Sequence, residues 1–191
     1  MIEDPVALAK AALRRSAETA RAAAHAAVGA EAAEALARHG IQVLAERSFR
    51  SVAGYWPMRT EIDLRPLLIA LANTGREVAL PAVTRLGQPL DFRRWRPGMA
   101  LATGRFGTQH PPEDAKRIEP DVLLIPLLAF DRRHFRLGYG AGFYDRTLAD
   151  LRARKTVLAV GVGFAAQRVE AVPVDPWDQR LDLVLTEQGI M

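Results

Sequence analysis

The chain has no cysteine. That excludes a disulfide framework, a thiolate metal site and a cysteine nucleophile. Histidine is scarce: the four that occur, His25, His39, His110 and His134, are scattered without ligand spacing, so no structural zinc site is expected. No apolar run approaches the roughly 20 residues that a bilayer-spanning helix needs. Glu3 and Asp4 open the chain, and Lys, Arg and Glu interrupt the alanine-rich stretch behind them, unlike a secretory signal. A cytoplasmic protein without membrane contact is the expectation. Familiar motifs are missing as well. There is no G-x-x-x-x-G-K-[ST] phosphate loop and no G-x-S-x-G elbow. Gly161-Val162-Gly163-Phe164-Ala165-Ala166 fits G-x-G-x-x-A, but Pro173 follows too soon for the helix of a dinucleotide site. Zinc-finger, RNP-type and lysine-rich sequences are absent, which argues against nucleic acid.

What is present is a 191-residue chain, 49% hydrophobic, 25% charged, with a formal net charge of +4. Arginines dominate the cations and spread along the whole chain. That balance suits an anionic metabolite. Residues 5–39 are rich in alanine, the best helix former, with Pro5 in the first turn. Gly29 is expected to break this stretch into two helices and Gly40 to end it. Lys10 and Arg14, four apart, share a face, which read alone is a solvated cationic surface. Phe49–Met58 reads as a strand ending at Pro57. Asp63 is expected to cap a helix from Leu64 to about Asn73, with Leu64, Leu67, Leu68 and Leu71 on one face. Trp56 and Glu61 then lie at a strand's carboxyl end, where open α/β sheets bind ligands. An aromatic beside an acid suits a flat heterocycle; the alternative is a core tryptophan and a solvated glutamate.

Glu77–Val83 reads as a buried strand and Pro89–Trp95 as an edge strand. Residues 99–118 lack periodicity, and a loop of that length is expected to lie over a ligand. Val122–Phe130 is apolar on both faces and suits a central strand, with Pro126 at a bulge or strand end. Then comes Arg136-Leu137-Gly138-Tyr139-Gly140-Ala141-Gly142-Phe143-Tyr144-Asp145-Arg146, with three glycines in five residues. Such a loop opening a helix suits phosphate, flanked here by two arginines. A tight strand–helix turn without a ligand is the alternative. Asp145 is placed to hold Mg²⁺ beside phosphates, with Asp178 as a second carboxylate and Asp175 and Asp182 as rivals. A helix over Phe143–Arg154 and strands at Thr156–Phe164 and Leu181–Thr186 complete the order. Alternating strands and helices predict a single three-layer α/β/α domain over residues 1–191, with a largely parallel central sheet.

Four stretches, in this order, resemble the 5-formyltetrahydrofolate cyclo-ligase (5,10-methenyltetrahydrofolate synthetase) family. They are Lys10-x-x-Leu13-Arg14, Tyr55-x-x-x-x-x-Glu61, Pro126-x-x-Ala129-Phe130-Asp131 with the glycine loop, and Pro173-x-x-x-x-Asp178-x-x-x-Asp182. The resemblance runs from about Lys10 to Glu187. It implies a Rossmann-like fold similar to sugar-phosphate isomerases and CoA-transferases. It implies ATP- and Mg²⁺-dependent closure of 5-formyltetrahydrofolate to 5,10-methenyltetrahydrofolate, with release of ADP and phosphate, through an iminophosphate. A monomer acting on this small molecule, with no nucleic-acid partner, is expected. By the same resemblance, Lys10, Arg14, Arg136 and the loop Leu137, Gly138, Tyr139, Gly140, Ala141, Gly142, Phe143 and Tyr144 hold ATP. Trp56, Glu61 and Tyr144 line the folate site. Asp145 and Asp178 bind the metal, and Arg136, Tyr144 and Asp145 carry the catalytic step. Two departures stand out. Ala141 replaces a glycine or lysine and requires a negative φ. His134 stands where a small residue is common. A non-catalytic folate- or nucleotide-binding protein on the same scaffold is the competing class.

Overall fold

In the computed structural model, which describes residues 4–191, the amino-terminal stretch forms one helix, α1 (Pro5–Ala45), capped by Asp4, whose carboxylate accepts the Val6 N–H. It runs through Gly29 and Gly40, so the expected break and stop are both corrected. Neither glycine takes a left-handed conformation. Gly40 serves packing: a Cβ there would lie 2.6 Å from Leu67 Cδ2 and 3.1 Å from Leu185 Cδ2. Its missing side chain lets α1 press onto the next helix and the sheet.

The remaining elements follow as β1 (Ser51–Ala53), α2 (Arg65–Asn73), β2 (Glu77–Ala82), β3 (Asp91–Trp95), β4 (Ala102–Thr103), β5 (Gln109–His110) and β6 (Val122–Pro126). After these come β7 (Ala129–Phe130), β8 (Arg136–Leu137), α3 (Phe143–Arg152), β9 (Leu158–Val162), β10 (Leu183–Thr186) and β11 (Gly189–Ile190). The main sheet has seven strands in the order β11-β10-β9-β6-β1-β2-β3. The five inner strands are parallel, and both edges are antiparallel. The strand apolar on both faces, β6, occupies the centre, and it stops at Pro126, which has no N–H to give the ladder.

Alternation along the strands divides the core. Val52, Val78, Leu80, Leu124 and Val160 face α1 and α2, where Leu36, Leu67, Leu68 and Leu71 meet them. Ala53, Ala79, Leu123, Ile125 and Ala159 face α3, which contributes Leu148 and Leu151. This is the expected three-layer α/β/α arrangement. Three local expectations are corrected. The strand expected over Phe49–Met58 is only Ser51–Ala53; the Gly54 N–H still donates to Ala79 O at 3.0 Å, and the chain leaves the ladder after it. The cap of α2 is Leu64; Asp63 instead accepts the Arg65 N–H and pairs with the Arg65 guanidinium. Residues 99–118 contain the β4–β5 hairpin, and their last stretch zips onto β3 through Arg94 N–H to Lys116 O and Ile118 N–H to Phe92 O. No helix among the described residues is long and apolar enough to cross a membrane.

Candidate active site

The carboxyl ends of β1, β6 and β9 open on one side of the sheet. Arg21, Tyr55, Glu61, Pro126, Val162 and Gly163 close around a void there that is too small to admit water. Glu61 is 8% exposed. Its Oε1 accepts the Tyr139 hydroxyl at 2.6 Å and its Oε2 the Met58 N–H at 2.9 Å. Arg21 Nη1 stands 4.0 Å from the same Oε1 and also donates to the Tyr139 hydroxyl, while its Nε reaches Thr60 Oγ1 at 3.1 Å. Burial raises the Glu61 pKa above its ordinary value, and the bonds from Tyr139 and Met58 and the charge of Arg21 offset only part of that. Burial, and then the negative charge of Glu61, push the Tyr139 phenol up, so it stays a donor. Burial and Glu61 act on Tyr144 in the same way. The acid and Arg21 are therefore buried rather than solvated, with Tyr139, itself 49% exposed, reaching in from the glycine loop. Trp56 is half-buried, edge-on to Trp95 at 6.0 Å, with the Arg65 guanidinium over its ring at 5.6 Å. It packs against the core margin while keeping part of its surface open.

A second group of charges meets where α1 crosses the glycine loop. Lys10 is buried, and its ammonium lies 2.6 Å from Asp175 Oδ2 and 2.5 Å from Asp178 Oδ2. Burial alone would lower its pKa, but the two carboxylates outweigh that and hold it above the ordinary value. The solvated-face reading of Lys10 is thereby corrected. Arg14 is half-buried, and its Nε donates to Gly138 O at 3.0 Å. Gly140, at φ +101°, accepts this close approach: a Cβ there would lie 3.3 Å from the guanidinium carbon. Gly142, at φ +65°, caps α3 without a side-chain bond, which leaves the first N–H groups of the helix free to meet an anion. Ala141 avoids positive φ, as its side chain requires, whereas His134 adopts φ +64°, the conformation that favours a small residue there.

Arg136 is buried. Its guanidinium donates to Gln179 O at 2.6 Å and to Asp145 Oδ1 at 2.7 Å, and that oxygen also accepts the Gln179 N–H at 3.0 Å. Asp145 and the Asp178-Gln179 segment are thus neighbours in space, 33 residues apart in sequence. In each of the two acids the hydrogen bonds fall on one oxygen, Oδ1 of Asp145 and Oδ2 of Asp178, leaving the other free. Among the described residues no three acidic or histidine side chains converge as a ready-made metal cage. The donor set fits Mg²⁺, which takes one or two carboxylates and completes its octahedron with water and phosphate oxygens. Of the rivals, Asp175 shares Lys10 with Asp178. Asp182 instead accepts the Ala159 N–H at 2.6 Å and pairs with Arg152, holding the start of β9 away from this group.

Arg21 and its tie to Glu61 were not read from the sequence. The signal was available, because Lys10, Arg14, Ala17 and Arg21 follow 4-3-4 spacing and mark one helix stripe. The double role of Tyr139, inside the loop and on Glu61, had no local signal.

The chain matches the model of the 5-formyltetrahydrofolate cyclo-ligase family over residues 6–187. A 5-formyltetrahydrofolate cyclo-ligase of Mycolicibacterium smegmatis is 38% identical over 153 residues, covering 75% of this chain and 77% of the relative. The protein of that name from Haemophilus influenzae is 31% identical, covering 78% of this chain and 81% of the relative. The solved structure of Aquifex aeolicus 5,10-methenyltetrahydrofolate synthetase aligns with a TM-score of 0.77 at 30% identity, covering 95% of this chain and 91% of that one. A Mycoplasma pneumoniae 5,10-methenyltetrahydrofolate synthetase, 22% identical, shares the fold with a TM-score of 0.75.

Proposed function

Because the chain belongs to the 5-formyltetrahydrofolate cyclo-ligase family, we propose that it closes 5-formyltetrahydrofolate to 5,10-methenyltetrahydrofolate with ATP and Mg²⁺. The observation that carries this reading is Tyr139. It lies within the glycine loop, yet its hydroxyl bonds to Glu61. A phosphate on the loop and a heterocycle on Glu61 would therefore sit side by side, as transfer of a phosphoryl group to the formyl oxygen requires.

An amide-like formyl oxygen is a poor leaving group. In the reaction proposed, that oxygen displaces ADP from the terminal phosphorus, giving an iminophosphate. N10 then attacks the formyl carbon, and phosphate departs with the former formyl oxygen and the N10 proton as the ring closes. Lys10, Arg14 and Arg136 oppose the phosphate charge, and the free N–H groups at the start of α3 add fixed dipoles. Mg²⁺, held by Asp145 and Asp178, would neutralise charge developing on the transferred group. Glu61 would orient the pterin by accepting its N–H groups, with Trp56 and Tyr144 beside it. Arg21 and Tyr139 hold the carboxylate in place. The family's three-layer fold gives no separate support to isomerase or CoA-transferase chemistry, since fold alone does not assign function.

The test is direct. Purified protein mixed with 5-formyltetrahydrofolate, Mg²⁺ and ATP should raise the absorbance of methenyltetrahydrofolate and release equimolar ADP. Folded protein that binds both substrates without turnover would leave a binding protein in place of the enzyme.

Glu61 supplies a pH signature. Its raised pKa means that the carboxylate is protonated earlier on acidification than a free glutamate. The protonated acid accepts fewer pterin N–H bonds. KM for the folate should rise as pH falls through that raised value, while KM for ATP stays level. Glu61→Gln should show a folate KM about tenfold higher and flat across the same range, the loss of one charge-assisted hydrogen bond. Equal weakening of folate and ATP would make Glu61 a purely structural residue.

A further inference from the structure

Trp177 has no part in the contacts described so far. It is 66% exposed, in a chain whose other two tryptophans pack against each other. It stands on a tight turn. The Asp178 N–H donates to Asp175 O at 3.1 Å, and the Asp175 N–H returns to Asp178 Oδ2 at 2.8 Å. Pro176 and Trp177 are therefore the two central residues, and proline fixes the first of them. The turn is held from outside as well. Lys10 grips both flanking carboxylates, and the next residue, Gln179, is bonded through its N–H and C=O to Asp145 and Arg136. No aromatic or cation–π partner of the indole occurs among the described residues.

An exposed indole on an anchored turn loses little conformational entropy when something stacks on it. Its surroundings name the partner. Asp178, the residue after Trp177, is assigned above to the metal, and Lys10, assigned to the triphosphate, is bonded to Asp178 and to Asp175 at the start of the turn. A flat group attached to those phosphates by a short linker is a nucleotide base. We propose that Trp177 is the platform for the purine ring of ATP, so that base and triphosphate are read from one turn. The inference rests on the reading that ATP occupies the Lys10–Asp178 side of the site.

Trp177 emission reports the contact without turnover. ATP added in the absence of folate should quench the fluorescence of the wild type, and the quench should vanish in Trp177→Leu, which removes a solvated side chain and leaves the core intact. By titration calorimetry, Trp177→Leu should bind ATP about tenfold more weakly, the loss of one base-stacking contact. Inorganic tripolyphosphate with Mg²⁺ should bind wild type and variant equally and leave the indole emission unchanged. The variant should also lose preference for ATP over UTP, whose smaller ring offers less area to stack. Quenching by the folate but not by ATP, no quenching by either, or an unchanged ATP affinity in the variant would overturn the proposal. Wild-type cyclisation separates the two levels: turnover with an ATP-indifferent Trp177 defeats only the base platform, whereas ATP quenching without turnover defeats the enzymatic reading and leaves the platform standing.

Discussion

Asp145→Asn is expected to lower turnover at least about 100-fold with the fold intact, the scale seen when one preorganised group facing transition-state charge is lost. The side chain has two duties. Its Oδ1 receives the Arg136 guanidinium at 2.7 Å and the Gln179 N–H at 3.0 Å, and its other oxygen is free for a cation. Asparagine keeps an acceptor for the Gln179 N–H and nearly the same volume, so the loop after Trp177 stays in place. It lacks the charge. Arg136, whose side chain is 4% exposed, then has no carboxylate partner, and the candidate Mg²⁺ site loses one of its two anionic ligands. The loss should appear in kcat and in a higher Mg²⁺ requirement, with the folate KM nearly unchanged. Thermal unfolding followed by circular dichroism checks the fold. Unchanged turnover and an unchanged Mg²⁺ requirement would remove Asp145 from the metal site.

Asp131→Ala should cost about 3 kcal/mol of stability. The Asp131 side chain is fully buried, and it accepts the N–H groups of Arg133 at 2.9 Å, Phe135 at 3.2 Å and Val172 at 3.0 Å. The Arg133 guanidinium adds bonds at 2.6 and 3.0 Å. Alanine would leave three N–H groups without an acceptor, each costing about 1–3 kcal/mol unless water reaches it. For a chain of this length the melting temperature should fall by roughly 6–12 °C. Burial pushes the Asp131 carboxyl up, but the bonds from Val172, Arg133 and Phe135 outweigh it and hold the pKa below the ordinary value. Its contribution is therefore complete above the ordinary aspartate range and is lost as pH falls through the lowered value. The melting temperatures of wild type and variant should converge in acid. A difference under about 2 °C at neutral pH would show that Asp131 is not the hub of this turn. The same turn leads into β8 and hence to Arg136, so a stability residue supports the candidate site.

The strands were legible where one local property decided them. Val122–Pro126 is apolar on both faces and became the central strand; Leu67, Leu68 and Leu71 share one helix face and became its buried side. The glycine loop was legible too, because a run of glycines before a helix leaves few other conformations. Gly40 departs from its expected role as a helix stop because glycine has two uses. Its freedom at positive φ ends helices, and its lack of a side chain permits close packing; only the position of Leu67 shows that the second applies at Gly40.

The sequence by itself determined the alternation of strands and helices, the family resemblance and the residue types proposed for phosphate, metal and heterocycle. Those properties reside in spacing and residue type. The tertiary structure alone decided which of these residues meet. Lys10 lies between two carboxylates 165 and 168 residues away, Arg136 is joined to Asp145 and Gln179, and Tyr139 is tied to Glu61 across 78 residues. Such contacts arise because the first half of α1 meets the segments that follow β1, β8 and β9, bonding through Arg21 to Thr60, Arg14 to Gly138 and Lys10 to Asp178. Hydrogen bonds require heavy-atom contact at about 3 Å, and screened Coulomb energy fades over about 10 Å, so partner choice is a property of distance in the fold and not of distance along the chain.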